Sequence, residues 1–352
     1  MDGNIETSSV QGLLILKNLP GVGDVSAVKF CRSYKYLEEI MASDPAEVKK
    51  IAPTFRTEIL KEKENWQTAH KKALRIIEKA EELDVRILTF LDADYPQLLL
   101  QIHDFPPIIY VKGNLPRSNR NVACVGTREP TAFGQEVAKR LVKFLVANNW
   151  TIVSGLAVGV DSIGHETAVE NGGITIAVLA NGLDQVYPKQ NQSLAQKILG
   201  SGGALLSEQP FGTEPMPALL VQRDRIQSGI SIATVAMQTG IKGGTMQTVR
   251  YTLLQGRSLF VPTPPETYKD EPKSQGNIAL INQSGVELSK TVNADSTFRT
   301  LLMKKYGTKP VARPIRNRND YNDLIDELEN LVLNVQKIEK LENLRQANLF
   351  EE

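Results

Sequence analysis

Several short segments of the chain combine glycine, hydroxyl and basic residues in the way that phosphate-binding loops do. An arginine guanidinium can hold a phosphate through two parallel hydrogen bonds, and glycines that open a helix expose backbone N–H groups to the same anion. A solvated surface charge or a tight turn is the alternative at each position. On this basis the predicted phosphate-binding residues are Gly126, Thr127, Arg128, Ser154, Gly155, Lys189, Asn191, Arg223, Arg225, Gly243, Gly244 and Thr245.

Six apolar runs indicate the elements that position these segments. The runs lie at 122–125, 151–153, 174–179, 204–206, 230–235 and 259–261. Strands that are buried on both faces read as continuous apolar runs, and their alternation with helical segments favours a doubly wound α/β domain with a parallel sheet. The loops that leave the runs then share the carboxyl edge of the sheet, where anionic ligands bind.

Composition narrows the chemistry further. The net charge of +1 means that polyanion binding must come from local patches. The three histidines, His70, His103 and His165, are isolated, and Cys31 and Cys124 cannot form a zinc site. No Gly-X-Gly-X-X-Gly or P-loop motif is present. We therefore expect no cofactor, no metal and no catalytic residue.

The chain divides into three predicted regions. Residues 1–84 read as a helical domain with a helix-hairpin-helix turn at Pro20-Gly21-Val22-Gly23, for which packing is favoured over DNA contact because Asp24 follows. Residues 85–292 contain the α/β domain. Residues 293–352 begin with a basic arm, either a phosphate contact or a solvated linker. They end in a helix with an apolar seam. The basic residues of the arm are Arg299, Lys304, Lys305, Lys309, Arg313, Arg316 and Arg318. The apolar residues of the seam are Leu324, Leu328, Leu331, Val335, Ile338 and Leu341.

The sequence also suggests a location. No apolar run approaches the roughly 20 residues that a membrane span needs, and the N-terminus lacks a basic region followed by an apolar one. We therefore expect a cytoplasmic protein without membrane contact.

An ordered set of motifs extends over roughly residues 12–290. It includes Leu19-Pro20-Gly21-Val22-Gly23, Asp94-Tyr95-Pro96, Gly126-Thr127-Arg128, Ser154-Gly155-Leu156-Ala157, Gly159-Val160-Asp161, Tyr187-Pro188-Lys189-Gln190-Asn191, Arg223-Asp224-Arg225 and Gly276-Asn277. In this order the motifs resemble the DNA-processing protein A (DprA/Smf) family.

The resemblance implies an extended Rossmann-like domain, preceded by a helix-hairpin-helix or SAM-like domain. It also implies a homodimer that binds single-stranded DNA, catalyses no reaction and delivers the strand to a RecA-type recombinase or a related DNA-processing or defence partner. The family residues that contact the DNA backbone correspond to Arg128 and Lys189. The C-terminal helix is the expected surface for a protein partner.

Three departures from the family pattern keep another class of function open. Val158 replaces a usual arginine, Asp224 stands between Arg223 and Arg225, and the 237–245 segment differs. Gly243-Gly244-Thr245 is similar to the phosphate loop of LOG phosphoribohydrolases, but the catalytic acid is absent from the residues 246–249 that follow. The alternatives are therefore a nucleotide sensor and, with lower weight, a phosphoribohydrolase-like enzyme.

Overall fold

A computed structural model describes residues 4–348 of the chain. The N-terminal region is helical, as predicted. Its helices are α1 (Val10–Asn18), α2 (Asp24–Ser33), α3 (Leu37–Ala42), α4 (Pro45–Ile51) and α5 (Lys63–Glu82), with a 3-10 turn at Thr57–Lys61 before α5. The Ser9 side chain caps α1 by accepting from the Gly12 N–H. Trp66, Ala69 and Ala73 bury one face of α5 against the other helices.

The turn between α1 and α2 packs the two helices together. Leu19 and Val22 are buried there, and Gly21 has a positive φ of 76°, which the turn requires and glycine adopts without strain. Lys17 on α1 forms an ion pair with Asp24 at the start of α2. These contacts agree with the packing role that was favoured for this turn.

The remaining elements form one mixed sheet with helices on its faces. The strands are β1 (Val85–Thr89), β2 (Ile108–Gly113), β3 (Asn121–Val125), β4 (Thr151–Ser154), β5 (Thr175–Leu179), β6 (Ala204–Ser207), β7 (Ala233–Ala236), β8 (Ser258–Pro262) and β9 (Arg313–Ile315). The helices are α6 (Gln97–Leu100), α7 (Ala132–Ala147), α8 (Val160–Glu170), α9 (Gln192–Gly200), α10 (Pro217–Gly229), α11 (Thr245–Leu254), α12 (Gln275–Asn282), α13 (Gly285–Thr291), α14 (Ser296–Tyr306) and α15 (Asp320–Asn348).

The strand order confirms the doubly wound topology. Among the described residues it is β1-β2-β6-β5-β4-β3-β7-β8-β9. Strands β3 to β9 pair in parallel, and β2 is antiparallel to both of its neighbours, β1 and β6. The chain moves outward from β3 in both directions, so the loops after β3 and β7 adjoin at the switch point of the sheet. All six predicted apolar runs form strands, because both faces of the sheet are covered.

Strand β2 was not predicted. Its segment follows Pro106 and Pro107 and lies outside the six apolar runs, but it pairs with both β1 and β6. A proline lacks only its own N–H group. Pro106 and Pro107 precede Ile108, the first paired residue of β2, so they remove no hydrogen bond from the strand. The four residues from Ile108 to Val111 are buried and read as a core strand.

The prediction that the basic residues form a separate arm is wrong. The segment forms α14 and β9, and β9 is the edge strand of the sheet, paired in parallel with β8. Phe298 and Leu302 on α14 and Val311 before β9 are buried, which holds the segment against the α/β domain. Arg313 pairs with Glu327 of α15, whereas Lys304 and Lys305 are exposed.

The C-terminal helix α15 packs on the body of the protein. Leu324, Leu328 and Val335 of the predicted seam are buried, together with Val332, whereas Ile338 is 53% exposed. The side chain of Leu341 lies outside the described residues. Arg120 before β3 reaches Glu329 of α15 at 2.6 Å. Most of the described seam is therefore occupied by the chain itself. No helix in residues 4–348 combines the length and the apolar character that crossing a bilayer requires.

Candidate phosphate-binding site

A cavity of about 410 Å³ opens at the carboxyl edge where β3 and β7 adjoin. Its walls come from the loop after β3, the middle of α10 and the start of α11. The predicted residues that line it are Gly126, Thr127, Arg128, Arg223, Gly243, Gly244 and Thr245, and Asp161, Asp224, Gln227 and Thr248 lie beside them. The fold therefore brings three separate sequence motifs into one site.

The start of α11 supplies free hydrogen-bond donors to this cavity. Gly244 is the N-cap, and within the described residues neither its N–H nor that of Thr245 has a hydrogen-bond partner. The first N–H groups of a helix have no partner in the helix itself and carry the positive end of its dipole. This end of the cavity favours an anion.

Two exposed cations stand at the same edge. Arg128 lines the large cavity and also a second one of about 220 Å³ that adjoins it. Pro188 and Gln190, on either side of Lys189, line the second cavity, and Lys189 itself is exposed. Arg223 lines both cavities. Arg128 and Arg223 thus lie at one edge of the sheet, next to the segment that contains Lys189, and phosphate contact by these residues stays a prediction.

Arg223 is held in place by backbone groups. It is 5% exposed, and its Nη1 donates to the carbonyl oxygen of Gly155 at 2.7 Å and to that of Val178 in β5. A Cβ at position 155 would clash with this guanidinium, so a side chain there would displace Arg223 from the two carbonyl oxygens. Arg223 therefore braces β4 against β5 and presents only part of its guanidinium to the cavities.

Two predicted contacts in the loop after β4 are corrected. The Ser154 hydroxyl is fully buried and donates to the Cys124 carbonyl oxygen at 2.7 Å. The Gly155 N–H donates to Asp161 Oδ2 at 3.1 Å. Both groups have partners within the fold, so they shape the site rather than contact a phosphate. Asn191 donates to the Leu156 carbonyl oxygen at 2.8 Å, and its role as a phosphate contact stays a prediction.

Arg225 is also corrected. It is 4% exposed, with its Nη2 2.5 Å from Glu208 Oε2 and its Nε 3.2 Å from Asp104 Oδ2. Residues that are two positions apart in an α-helix are separated by about 200° around its axis. Arg223 and Arg225 therefore point to opposite sides of α10. The Arg-Asp-Arg segment therefore contributes one guanidinium to the site, not two.

Two carboxylates are part of the cavity wall. Burial raises the pKa of Asp224 to about 6, even though the adjacent Arg223 guanidinium lowers it. Burial also raises the pKa of Asp161, against the opposing effect of Arg223. Asp224 Oδ1 accepts from Gln227 Nε2 at 3.0 Å and lies 3.3 Å from Arg223 Nε. Burial thus makes both carboxyl groups easier to protonate than free aspartate.

Three residues near this site were not identified from the sequence. Gln227 follows Asp224 by three positions on α10, and Thr248 follows Thr245 by three on α11, and both line the cavity. That spacing places side chains on one helix face and is the signal that would have indicated them. Lys242 is exposed in the loop that follows β7.

The fold and the cavity define an extended Rossmann-like protein with a ligand cleft at the carboxyl ends of its strands. The chain belongs to the DNA recombination-mediator protein A family, whose sequence pattern matches residues 86–298.

Relatives and solved structures agree with this assignment. The chain is 32% identical to Protein Smf of Synechocystis sp. over 289 residues, which cover 80% of this chain and 70% of that protein. It is 34% identical to the DNA processing protein DprA of Bacillus subtilis over 216 residues, which cover 61% and 71% of the two chains.

Two solved structures share the fold. The X-ray structure of DprA from Streptococcus pneumoniae superposes with a TM-score of 0.65 and 25% identity, over 78% of this chain and 93% of that one. DprA from Helicobacter pylori, whose structure is described for its single-stranded DNA binding mode, superposes with a TM-score of 0.54 and 24% identity, over 69% and 96% of the two chains.

Proposed function

We propose that the chain binds single-stranded DNA through the phosphate backbone at the carboxyl edge of the sheet. The observation that carries the proposal is the grouping of exposed Arg128 and Lys189 beside the free N–H groups of Gly244 and Thr245. These donors recognise phosphate and not base edges, so binding is independent of sequence. Membership of a family of DNA recombination mediators supports the same ligand.

The proposed role is binding and delivery, not catalysis. Residues 246–249 of α11 provide no carboxylic acid, and the buried Asp224 is engaged by Arg223 and Gln227. We propose that a homodimer delivers the strand to a RecA-type recombinase, and membership of a family described as DNA recombination mediators supports a role in recombination. Because α15 buries most of its seam on its own chain, a protein partner would meet its exposed residues, such as Ile338.

Replacing both Arg128 and Lys189 by alanine tests the site. We expect the double variant to lose affinity for a labelled oligonucleotide. The log–log slope of its affinity against salt should fall in magnitude by about 1.4, because each lost phosphate contact to a single strand removes about 0.7. Fluorescence anisotropy over a salt series measures both quantities.

The matched control removes two exposed lysines of the N-terminal helical region that line neither cavity, Lys49 and Lys50 on α4. This variant should bind as the wild type does. Wild-type affinity and slope in the Arg128→Ala, Lys189→Ala variant would show that the strand binds elsewhere.

A further inference from the structure

The back of the large cavity carries buried polar groups that DNA-backbone binding at the edge does not use. Gln227 is 1% exposed and donates its Nε2 hydrogen to Asp224, so its Oε1 remains an acceptor without a partner among the described residues. Arg223 Nε, 3.3 Å from Asp224 Oδ1, is occupied by that ion pair, so the Gln227 oxygen is the group that lacks a partner here. Buried polar atoms are normally paired, so unpaired ones on a cavity wall indicate a missing ligand.

The two ends of the cavity differ in chemistry. At the start of α11, the N–H groups of Gly244 and Thr245 and the Thr245 hydroxyl have no hydrogen-bond partner within residues 4–348, and Arg128 adds a cation. Asp224, Gln227 and Thr248, one helical turn further along α11, line the cavity beyond them. A ligand that spans the cavity therefore needs an anion at one end and hydrogen-bond donors at the other.

The cavity is closed at the back. Gln227, Asp224, Thr245 and Thr248 are each less than one-tenth exposed. The cavity opens at the carboxyl edge, and a chain end can enter from there without the backbone having to leave again, so its shape favours a terminal group. At about 410 Å³ the space is within the range of small-molecule pockets.

We propose that this cavity binds a terminal nucleoside phosphate monoester. The phosphate lies at the start of α11, and the sugar hydroxyls or base amino groups donate to Asp224 and Gln227. A monoester presents three free oxygens where a backbone diester presents two, and it matches the larger set of donors. The ligand is either the phosphorylated end of a DNA strand, in which case the proposal rests on the proposed function, or a free mononucleotide.

Three ligands distinguish these sources: an oligonucleotide with a terminal phosphate, the same oligonucleotide with hydroxyl ends, and a deoxynucleoside monophosphate as competitor. We expect the phosphorylated end to bind about tenfold tighter than the hydroxyl end, the effect of one or two charge-assisted hydrogen bonds. Displacement of the phosphorylated oligonucleotide by the monophosphate supports the same site for the free nucleotide.

Position 244 allows one donor to be removed cleanly. Gly244 has φ −54° and ψ −34°, which proline can adopt, and a Cβ there meets no atom within 4 Å. Gly244→Pro deletes the N–H, and Gly244→Ala keeps it as the matched control. Thr245→Val removes the hydroxyl at constant shape and serves as a second test if the proline variant does not fold.

The expected result is that Gly244→Pro and Thr245→Val lose the preference for the phosphorylated end and the competition by monophosphate, while Gly244→Ala keeps both. Their affinity for the hydroxyl-ended oligonucleotide should fall by a smaller factor than that for the phosphorylated end, because backbone binding loses one donor while Arg128 and Lys189 are intact. Equal binding of both ends by the wild type together with no effect of the monophosphate overturns the proposal. If the hydroxyl-ended strand still binds, that result does not contradict the proposed function.

Discussion

At the scale of single residues, the site depends on which polar groups already have partners. Arg223 donates to two carbonyl oxygens and Arg225 is enclosed by Glu208 and Asp104, so both arginines stabilise the fold first. Arg128 and Lys189 are exposed and can exchange water for phosphate. Side chains of the same type therefore divide into structural and ligand-binding groups according to burial.

Asp224 provides a prediction about pH. Because its pKa is about 6, the carboxyl group becomes neutral as the pH falls through that value, and the cavity loses one negative charge. Phosphate binding should then strengthen, by about tenfold between roughly pH 7.5 and 5.5. Asp224→Asn should bind oligonucleotide tightly throughout and lack this step, as measured by anisotropy at constant ionic strength.

The same shift affects stability. The pKa of Asp224 is raised in the folded state, so its contribution to the free energy of unfolding is present below about pH 4 and is lost as the pH rises through about 6. The Asn variant removes that dependence.

Identical pH profiles of binding for the wild type and the variant would mean that another group, such as Asp161, controls the titration.

At the scale of elements, α15 and α11 have different tasks. Helix α11 begins at the site and aims its first N–H groups at the cavity. Helix α15 lies on the body, with Leu328 fully buried and Arg120 fixed to Glu329. We infer that α15 contributes mainly to stability and that α11 contributes mainly to binding.

Leu328→Ala tests the role of α15. Removing a fully buried leucine side chain leaves a cavity, and we expect the free energy of unfolding to fall by about 3 kcal/mol, as measured by denaturant titration. Ile338→Ala, at a position that is 53% exposed, should change it by less than about 0.5 kcal/mol. Similar values for both variants would indicate that the helix does not pack on the body in solution.

At the scale of the whole molecule, charge is concentrated rather than abundant. The net charge is +1, and many surface cations are paired, for example Lys273 with Glu129 and Arg140 with Glu136. We therefore expect attraction of DNA to depend on the local grouping of Arg128 and Lys189 at the carboxyl edge rather than on the overall charge. A protein of this kind should bind more weakly and with a smaller salt dependence than one with an overall basic surface.

This distribution predicts the binding behaviour of the intact protein. With about three or four phosphate contacts, the slope of log affinity against log salt should lie near −2 to −3. Oligonucleotides of equal length and different sequence should bind within about threefold of one another, because base edges are not read. A strong preference for one sequence, or no response to salt, would contradict backbone binding at this edge.

Particular residues show how far the sequence alone could lead. The runs that became β3, β5 and β8 were recognised because strands buried on both faces are apolar throughout, a local property of composition. Ser154 and Arg225 were misassigned because their partners, Cys124 and Glu208, are distant along the chain. Strand β2 is absent from the six predicted runs because its pairing with β1 and β6 depends on segments that are distant along the chain.

The sequence by itself determined the doubly wound class, the family and the edge at which Arg128 and Lys189 stand, since these follow from periodicity and from the order of motifs. Only the tertiary structure decided which polar groups remain free, since burial and pairing depend on contacts between distant segments. It alone placed Asp224 and Gln227 at the back of the cavity and took Arg225 away from it. Helix geometry and packing, not residue type, therefore separate the residues that line the cavity from those that stabilise the fold.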